Sequence, residues 1–349
     1  MSDQRTTAKP ATMATEGMVP LALDSRTITT ADGWRLHLRR AVAPGRFERS
    51  HRPVLLVPGY GMNSYILRFH PRGTSMVRAL AEAGYEVWSM DLRGQADSHK
   101  LRGQAGGESL WHYAMFDLPA AIAGVLAGTA SSAGDVIVFG CSLGGTIAYS
   151  YLALQPRVHR VAQLVTMASP LRWDAVHPVV RSLFSSPFLA RRVRVSGLRS
   201  VVRGVMPLLL RAPRLVELYM NTSTIDTRHM GEITRTVEDP PIAVNVDIAH
   251  WMRDRDLKVG GIDIASGLAA MRMPLLVVLG NRDGVVPEPT VMSVVGAWGG
   301  DDVQVLRVGD RKNWYGHANL FVADDAPELV FQPIIRWLQR EGRQSGHGY

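Results

Sequence analysis

The stretch "DVIVFGCSLGGTIAYSYLALQ", residues 135–155, carries the strongest signal for the fold. Residues 136–139 form a short apolar run typical of a buried parallel strand, and from Ile147 onward apolar residues recur at helical spacing. Between these two runs, residues 140–144 read G-x-S-x-G. In that motif the serine lies on a strained turn from strand to helix, where the glycines permit close backbone approach. The sequence therefore predicts a nucleophilic Ser142, with an ordinary glycine-rich turn as the alternative.

The rest of the chain alternates predicted strands with predicted helices. Two alternating runs around Asp32-Gly33 indicate a β-hairpin. Further strands are predicted at 53–59, 85–91, 161–169, 274–283 and 303–309, and helices at 73–84, 117–127, 290–298 and 326–340. Because strands that alternate with helices form mostly parallel sheets covered on both faces, we predict an α/β fold.

A long gap interrupts this alternation. About a hundred residues separate the predicted strands at 161–169 and 274–283, where one crossover helix would suffice. We predict that residues 171–262, which begin apolar and arginine-rich, form a helical cap over the C-terminal edge of the sheet, where open α/β sheets bind ligands. The resulting division is a disordered N-terminus (1–20), a core in two parts (21–170 and 263–340), the inserted cap (171–262) and a tail (341–349).

The composition is that of an ordinary globular protein. The 349 residues are 46% hydrophobic and 20% charged, and no apolar run is long enough to span a bilayer. Cys141 is the one cysteine, which excludes an internal disulfide framework and a multi-cysteine metal site. The first twenty residues are polar and lack the apolar core of a signal peptide. These features predict a cytoplasmic protein.

The positive charge is local. The net charge is +8, and the segment from Arg172 to Arg214 contains nine arginines against one acid, Asp174, so this segment alone carries the whole excess. Its arginines interleave with apolar residues, which predicts peripheral contact between the cap and an anionic membrane. The alternative is an ordinary solvated basic face. We expect no nucleic-acid partner.

A serine hydroxyl needs a base, usually a histidine that is held by a carboxylate. When a G-x-S-x-G serine lies on the turn from a strand to a helix of an α/β sheet, the order along the chain is serine, acid, histidine. Asp283 directly follows a late predicted strand, and His317 lies between the last strand and the final helix. The predicted triad is therefore Ser142, Asp283 and His317. Asp283 as a plain turn residue, or Asp174 as the acid, are the alternatives.

An anionic intermediate on such a serine needs two backbone N–H donors. One is expected from Leu143, directly after the nucleophile, and the other from the loop after an early strand. "LVPGYGMNS" fits that loop, with Tyr60 as the donor and Gly61 as its substitute. The alternative is a Gly-Tyr-Gly turn without chemistry. No metal and no organic cofactor is implied by these residues.

Three segments carry a family resemblance. "AGYEVWSMDLRGQADSH" (83–99), "FDLPAAI" (116–122) and "YGHANLFVADDAPELVFQPIIRWL" (315–338) resemble the α/β-hydrolase fold, and within it the acid lipase-like branch of esterases. The resemblance covers roughly residues 53–170 and 274–338 and leaves the cap unmatched. The chain is also similar to polyhydroxyalkanoate synthases, which have a cysteine where this chain has Ser142. That serine argues against haloalkane dehalogenases and epoxide hydrolases, which need an aspartate there.

The resemblance implies a serine hydrolase that acts on a small-molecule carboxylic ester. The apolar cap favours a hydrophobic acyl or lipid-like ester as substrate. An acyltransferase or thioesterase could use the same triad, and a non-catalytic scaffold could retain it. These two classes stay open at the level of the sequence.

Overall fold

A computed structural model of the chain describes residues 19–103, 107–192, 196–211, 214 and 216–345. Apart from residues 19 and 20, the N-terminus for which disorder was predicted lies outside this range. The central sheet contains β1 (Ala22–Thr29), β2 (Trp34–Val42), β3 (Val54–Val57), β4 (Val87–Met90), β5 (His99–Lys100), β6 (Val136–Cys141), β7 (Val161–Met167), β10 (Leu275–Gly280) and β11 (Val303–Val308). A separate small ribbon consists of β8 (Lys258–Val259) and β9 (Ile262–Asp263).

The strand order in the main sheet is β1-β2-β4-β3-β6-β7-β10-β11, and β5 pairs with β2. From β4 to β11 all neighbouring strands are parallel. The first two strands form the predicted antiparallel hairpin, which joins the sheet through β4. The α/β fold with a mostly parallel sheet that the sequence predicts is thus confirmed.

Helices cover both faces of the sheet. They are α1 (Tyr65–Arg68), α2 (Met76–Glu82), α3 (Leu110–His112), α4 (Leu118–Leu126), α5 (Leu143–Leu154), α6 (Pro178–Leu183), α7 (Pro187–Arg192), α8 (Leu198–Leu209), α9 (Met230–Ile233), α10 (Ile242–Asp254), α11 (Ile264–Leu268), α12 (Glu288–Met292), α13 (Asn319–Val322) and α14 (Gln332–Ser345). Among the described residues, no helix is long and apolar enough to cross a membrane.

Two hydrophobic clusters lie on opposite faces of the sheet because strand residues alternate in direction. In β3, Leu55 and Val57 join the cluster under α4 and α5, whereas Val54 and Leu56 join the cluster under α2 and α14. The strand in front of Ser142 is buried along its whole length. The sheet therefore gives the loops at its carboxyl edge a rigid base.

Some predicted boundaries differ from the structure. The helix expected at 290–298 is helical only as α12, which ends at Met292. The last helix begins with a π-helical turn at Pro327–Phe331 and continues to Ser345, past the start of the tail predicted for 341–349. Periodicity cannot resolve such ends, because capping and tertiary packing decide them.

Between β7 and β10 the described residues form helices α6 to α11, three short 3-10 turns and the β8–β9 ribbon, and all of these except α11 and Asp263 of β9 lie within residues 171–262. This is the segment that the sequence analysis assigned to a cap, and we refer to residues 171–262 as the inserted segment. Its helices are short, apart from α8 and α10. A role as a cap stays a prediction.

Candidate active site

Ser142 occupies the turn between β6 and α5. Its φ of 53° and ψ of −121° place a non-glycine residue in a region that L-amino acids rarely adopt. The N–H of Ser142 donates a 2.8 Å hydrogen bond to the carbonyl of Met167 at the end of β7, which anchors the turn to the sheet. Backbone strain of this kind persists only where the surroundings enforce it, and it often marks a functional residue.

The glycines of the motif are required by contacts with neighbouring backbone. A Cβ at Gly140 would lie 2.3 Å from the Cα of Gly145, and a Cβ at Gly144 would lie 2.4 Å from the carbonyl oxygen of Val57. Both distances are far below van der Waals contact. The close packing of α5 against β3 and β6 therefore requires glycine at both positions of the G-x-S-x-G motif.

His317 and Asp283 form a buried pair. Nδ1 of His317 lies 2.7 Å from Oδ2 of Asp283, and the two side chains are only 4% and 1% exposed. The other carboxylate oxygen of Asp283 accepts hydrogen bonds from the N–H groups of Val285 at 2.8 Å and Val286 at 2.9 Å. These bonds hold the other carboxylate oxygen against Nδ1 of His317, an arrangement in which Nδ1 carries the imidazole proton and Nε2 is a proton acceptor.

The His317 loop is fixed by an asparagine that no sequence motif indicates. Asn319 is fully buried, and its Oδ1 accepts the N–H groups of Gly316 at 3.1 Å and Asn221 at 2.8 Å. Its Nδ2 donates to the carbonyl of Asn221 at 3.0 Å. These bonds join the loop to the inserted segment. The only signal in the sequence was the position of Asn319 two residues after the candidate histidine.

The loop after β3 contacts Ser142. A Cβ at Gly59 would lie 2.9 Å from the Cβ of Ser142, so the backbone at this glycine packs directly against the serine. Tyr60 follows, and its hydroxyl donates to Oδ1 of Asn245 on α10 at 2.5 Å. Burial raises the pKa of that hydroxyl, which keeps it protonated. Leu143 is the first residue of α5, where a backbone N–H has no partner within the helix.

Ser142 and the His317–Asp283 pair lie at the same edge of the sheet. Ser142 follows β6 and Asp283 follows β10, with β7 between them, and the carboxyl ends of parallel strands meet at one edge. Ser142 is half-buried, and no hydrogen bond joins its Oγ to His317 among the described residues. The rival acid Asp174 instead pairs with Arg172 at 3.0 Å and Arg255 at 3.2 Å.

Cys141 directly precedes Ser142 in the chain. Cys141 is fully buried beside Ser142, and burial raises the pKa of its thiol. No group of three or more His, Cys, Asp or Glu side chains that could hold a metal ion occurs among the described residues.

A family model described as the alpha/beta hydrolase fold matches residues 52–314. The match includes Ser142 and Asp283 and ends before His317. The contact between Asp283 and His317 is therefore an observation of the structure that does not depend on the family model.

Two curated relatives are esterases or lipases. The pimeloyl-[acyl-carrier protein] methyl ester esterase of Serratia marcescens is 27% identical over 52% of this chain, and the match spans 66% of that enzyme's length. Triacylglycerol lipase 2 of Arabidopsis thaliana is 22% identical, over 91% of this chain and 85% of the lipase.

Solved structures share the fold over most of the chain. A thermophilic esterase from Thermogutta terrifontis superposes with a TM-score of 0.62 and 21% identity, covering 91% of this chain and 99% of the esterase. The esterase of Exiguobacterium antarcticum superposes with a TM-score of 0.60 and 17% identity, covering 90% and 98%. At these identities the likeness concerns the fold alone.

Proposed function

The chain belongs to the alpha/beta hydrolase family, and on that premise we propose that it is a carboxylic ester hydrolase with Ser142, His317 and Asp283 as its catalytic triad. The observation that carries the proposal is the buried 2.7 Å contact between His317 and Asp283 at the sheet edge where the strained Ser142 stands. The esterase and lipase names of the relatives support the same reaction class.

The reaction proceeds through an acyl-enzyme. Oγ of Ser142 attacks the ester carbonyl carbon while its proton passes to Nε2 of His317. The carboxylate of Asp283 stays ionised and stabilises the imidazolium. His317 then protonates the leaving alkoxide, and a water molecule that His317 deprotonates hydrolyses the acyl-enzyme. The bond from Ser142 to His317 forms when substrate binds, since catalytic hydrogen bonds are often long in the empty enzyme.

The N–H groups of Tyr60 and Leu143 form the oxyanion hole in this proposal. The close approach of Gly59 to Ser142 supports the position of Tyr60, and the start of α5 supports Leu143. Removing one such donor costs about 2.7–4 kcal/mol in measured cases. The hydrogen bond from Tyr60 to Asn245 holds this loop against the inserted segment.

We propose a hydrophobic acyl or lipid-like ester as the substrate and the inserted segment as a cap. The ring of Phe184 packs edge-on against Tyr60 with centroids 5.9 Å apart, so apolar residues of the segment reach the oxyanion loop. Beside Phe184 lies a cavity of about 510 Å³, whose wall is partly apolar (Trp173, Val176, Met252) and partly charged (Asp174, Arg181, Arg253, Arg255). The apolar part of this wall suits a hydrocarbon chain.

The test is a chain-length series of nitrophenyl esters with the purified protein, Ser142→Ala and the exposed-serine control Ser132→Ala. We expect hydrolysis by the protein and the control, faster with medium acyl chains than with acetate, and none by Ser142→Ala. Equal hydrolysis by Ser142→Ala would contradict the proposal. Transfer of the acyl group to an added alcohol or thiol in preference to water would assign the triad to an acyltransferase.

A membrane contact is proposed for the outer face of the inserted segment. Val201, Val205 and Leu208 lie on one side of α8 and are 57%, 41% and 67% exposed. On α6, Val179 and Leu183 are 51% and 72% exposed. Together with the exposed Arg181, Arg191 and Arg203, these residues define the basic apolar surface. An anionic lipid bilayer complements both its charge and its apolar side chains.

The contact is tested by sedimentation with vesicles. We expect binding to anionic but not neutral vesicles, weaker as salt rises, because salt screens surface charges over about 8–10 Å at 0.1–0.15 M. Leu208→Asp should reduce binding, whereas Val158→Asp, an equally exposed valine outside the surface, should not. Equal binding to anionic and neutral vesicles would indicate that the arginines form an ordinary solvated face. Arg194, which belongs to the same basic run, lies outside the described residues. The cytoplasmic location predicted from the sequence stays a prediction.

A further inference from the structure

A second cavity lies between the β1–β2 hairpin and the helices α1 and α2. Its volume is about 610 Å³. None of the proposed triad residues lines it. Four arginines and two aspartates line it, namely Arg39, Arg40, Arg68, Arg78, Asp24 and Asp97. Apolar side chains, among them Leu21, Leu23 and Val77, complete part of its wall. The cavity is therefore basic and partly apolar.

Three of the four arginines have acidic partners. Arg39 bonds Asp91 and Asp97, Arg40 bonds Glu86, and Arg78 bonds Glu82. Their charges are thus compensated within the protein. Paired arginines of this kind offer little net attraction to a further anion.

Arg68 differs from these three. Within the described part of the chain it has no carboxylate within ion-pair distance, and its Nε is buried without a hydrogen-bond partner. Its guanidinium lies 5.8 Å from the centre of the Tyr65 ring. Burial and the nearby Arg39 lower the pKa of Arg68, the nearby Asp91 acts in the opposite direction, and a guanidinium keeps its proton in proteins. A half-buried cation without an ion pair is costly, and an anion that enters the cavity relieves that cost.

A buried hydroxyl lines the same cavity. Ser89 on β4 is 1% exposed, and its Oγ has no hydrogen-bond partner among the described residues. Buried polar side chains almost always have a partner, so an unpartnered hydroxyl in a cavity wall indicates that a ligand or water supplies one. Arg68 and Ser89 therefore give this cavity one arginine without an ion pair and one unused donor. Asp24, an exposed carboxylate in the same wall, likewise has no ion pair among the described residues.

We propose that this cavity binds the carboxylate of a small organic acid that carries a short hydrocarbon group. Arg68 supplies the counter-charge, since a planar guanidinium matches a carboxylate, and the Ser89 hydroxyl supplies a donor. Leu21, Leu23 and Val77 contact the hydrocarbon part. The unpaired carboxylate of Asp24 in the same wall disfavours a doubly charged phosphate more than a monoanion. The site does not depend on the triad, so it stands whether or not the protein hydrolyses esters.

Calorimetric titration of the full chain with hexanoate tests the site, with 1-hexanol and inorganic phosphate as matched probes. We expect saturable binding of hexanoate, and neither binding of hexanol nor competition by phosphate at equal concentration. Arg68→Met should weaken hexanoate binding by about tenfold or more, because it removes a charge-assisted hydrogen bond. Arg52→Met is the control, since Arg52 is similarly exposed but pairs with Asp135 outside the cavity.

Thermal unfolding separates binding from a structural role of the arginine. Arg68→Met removes an unpaired cation and should not lower the Tm of the protein without ligand. Ser89→Ala should weaken hexanoate binding several-fold and provides a second variant if Arg68→Met does not fold. The proposal is overturned if hexanoate does not bind, if hexanol binds equally well, if phosphate displaces hexanoate, or if both variants bind like the control.

Discussion

Gly144 and Gly204 both stand inside helices, but their surroundings are opposite. A Cβ at Gly144 in α5 would lie 2.4 Å from the Val57 carbonyl oxygen, whereas a Cβ at Gly204 in α8 would meet no atom within 4 Å among the described residues. The turn at Ser142 is packed against three strands and admits little variation. The inserted segment instead exposes apolar and basic side chains, and α8 has no buried residue. Packing therefore places few constraints on the residues of α8, whereas backbone contacts restrict which residues the turn at Ser142 can contain.

The largest expected effect is on catalysis at the sheet edge. Asp283→Asn should slow ester hydrolysis by about 10⁴-fold, because an amide favours the wrong imidazole tautomer, as in a comparable triad. Steady-state kinetics with a short nitrophenyl ester measures the loss. Asp174→Asn is the matched control, since Asp174 pairs with Arg172 and Arg255 of the inserted segment and not with His317. A larger loss of activity in Asp174→Asn would assign the catalytic acid to Asp174. The inserted segment would then contribute to catalysis as well as the sheet edge.

A smaller effect is expected on stability at the turn. Gly144→Ala should lower the free energy of unfolding by about 3 kcal/mol, because the added methyl group meets the backbone carbonyls of Val57 and Pro58 rather than a side chain that can move. Chemical denaturation followed by fluorescence measures the change. A neutral Gly144→Ala would mean that the helix can shift away from β3, and the turn would then be less constrained than its contacts indicate.

The same substitution in the inserted segment should have the opposite sign. Gly204→Ala in α8 should stabilise the protein by about 0.5–1 kcal/mol, since alanine is the better helix former and the added methyl group meets open space. The same denaturation experiment compares the two variants directly. Destabilisation by Gly204→Ala would indicate that this face of α8 is covered in solution.

The turn and the alternation of strands and helices could be predicted from the sequence because each rests on local signals. The hairpin around Gly33 and the strand–serine–helix passage at Ser142 combine turn residues, glycines and periodicity within a few positions. Asp283 and His317 were selected through their order along the chain, and the structure pairs them. Whether they act with Ser142 stays a prediction.

Contacts between distant segments could not be predicted in the same way. The bonds between Asn319 and Asn221 join positions about a hundred residues apart, and nothing local distinguishes either asparagine. The sequence likewise gives no sign that Arg68 lacks an ion pair, since this depends on the positions of carboxylates on other helices and strands. Local patterns therefore identify the chemistry that a residue can perform, whereas tertiary packing decides which residues hold it in place.

Covalent labelling of Ser142 tests the central claim most directly. The protein is treated with a fluorophosphonate, and the modified residue is located by peptide mass spectrometry. We predict one phosphonyl group per chain on Ser142, no labelling of Ser142→Ala, and much slower labelling of His317→Ala, in which the serine lacks its base. Modification of a different serine, or equally fast labelling without His317, would contradict the assignment of Ser142 as the nucleophile that His317 activates.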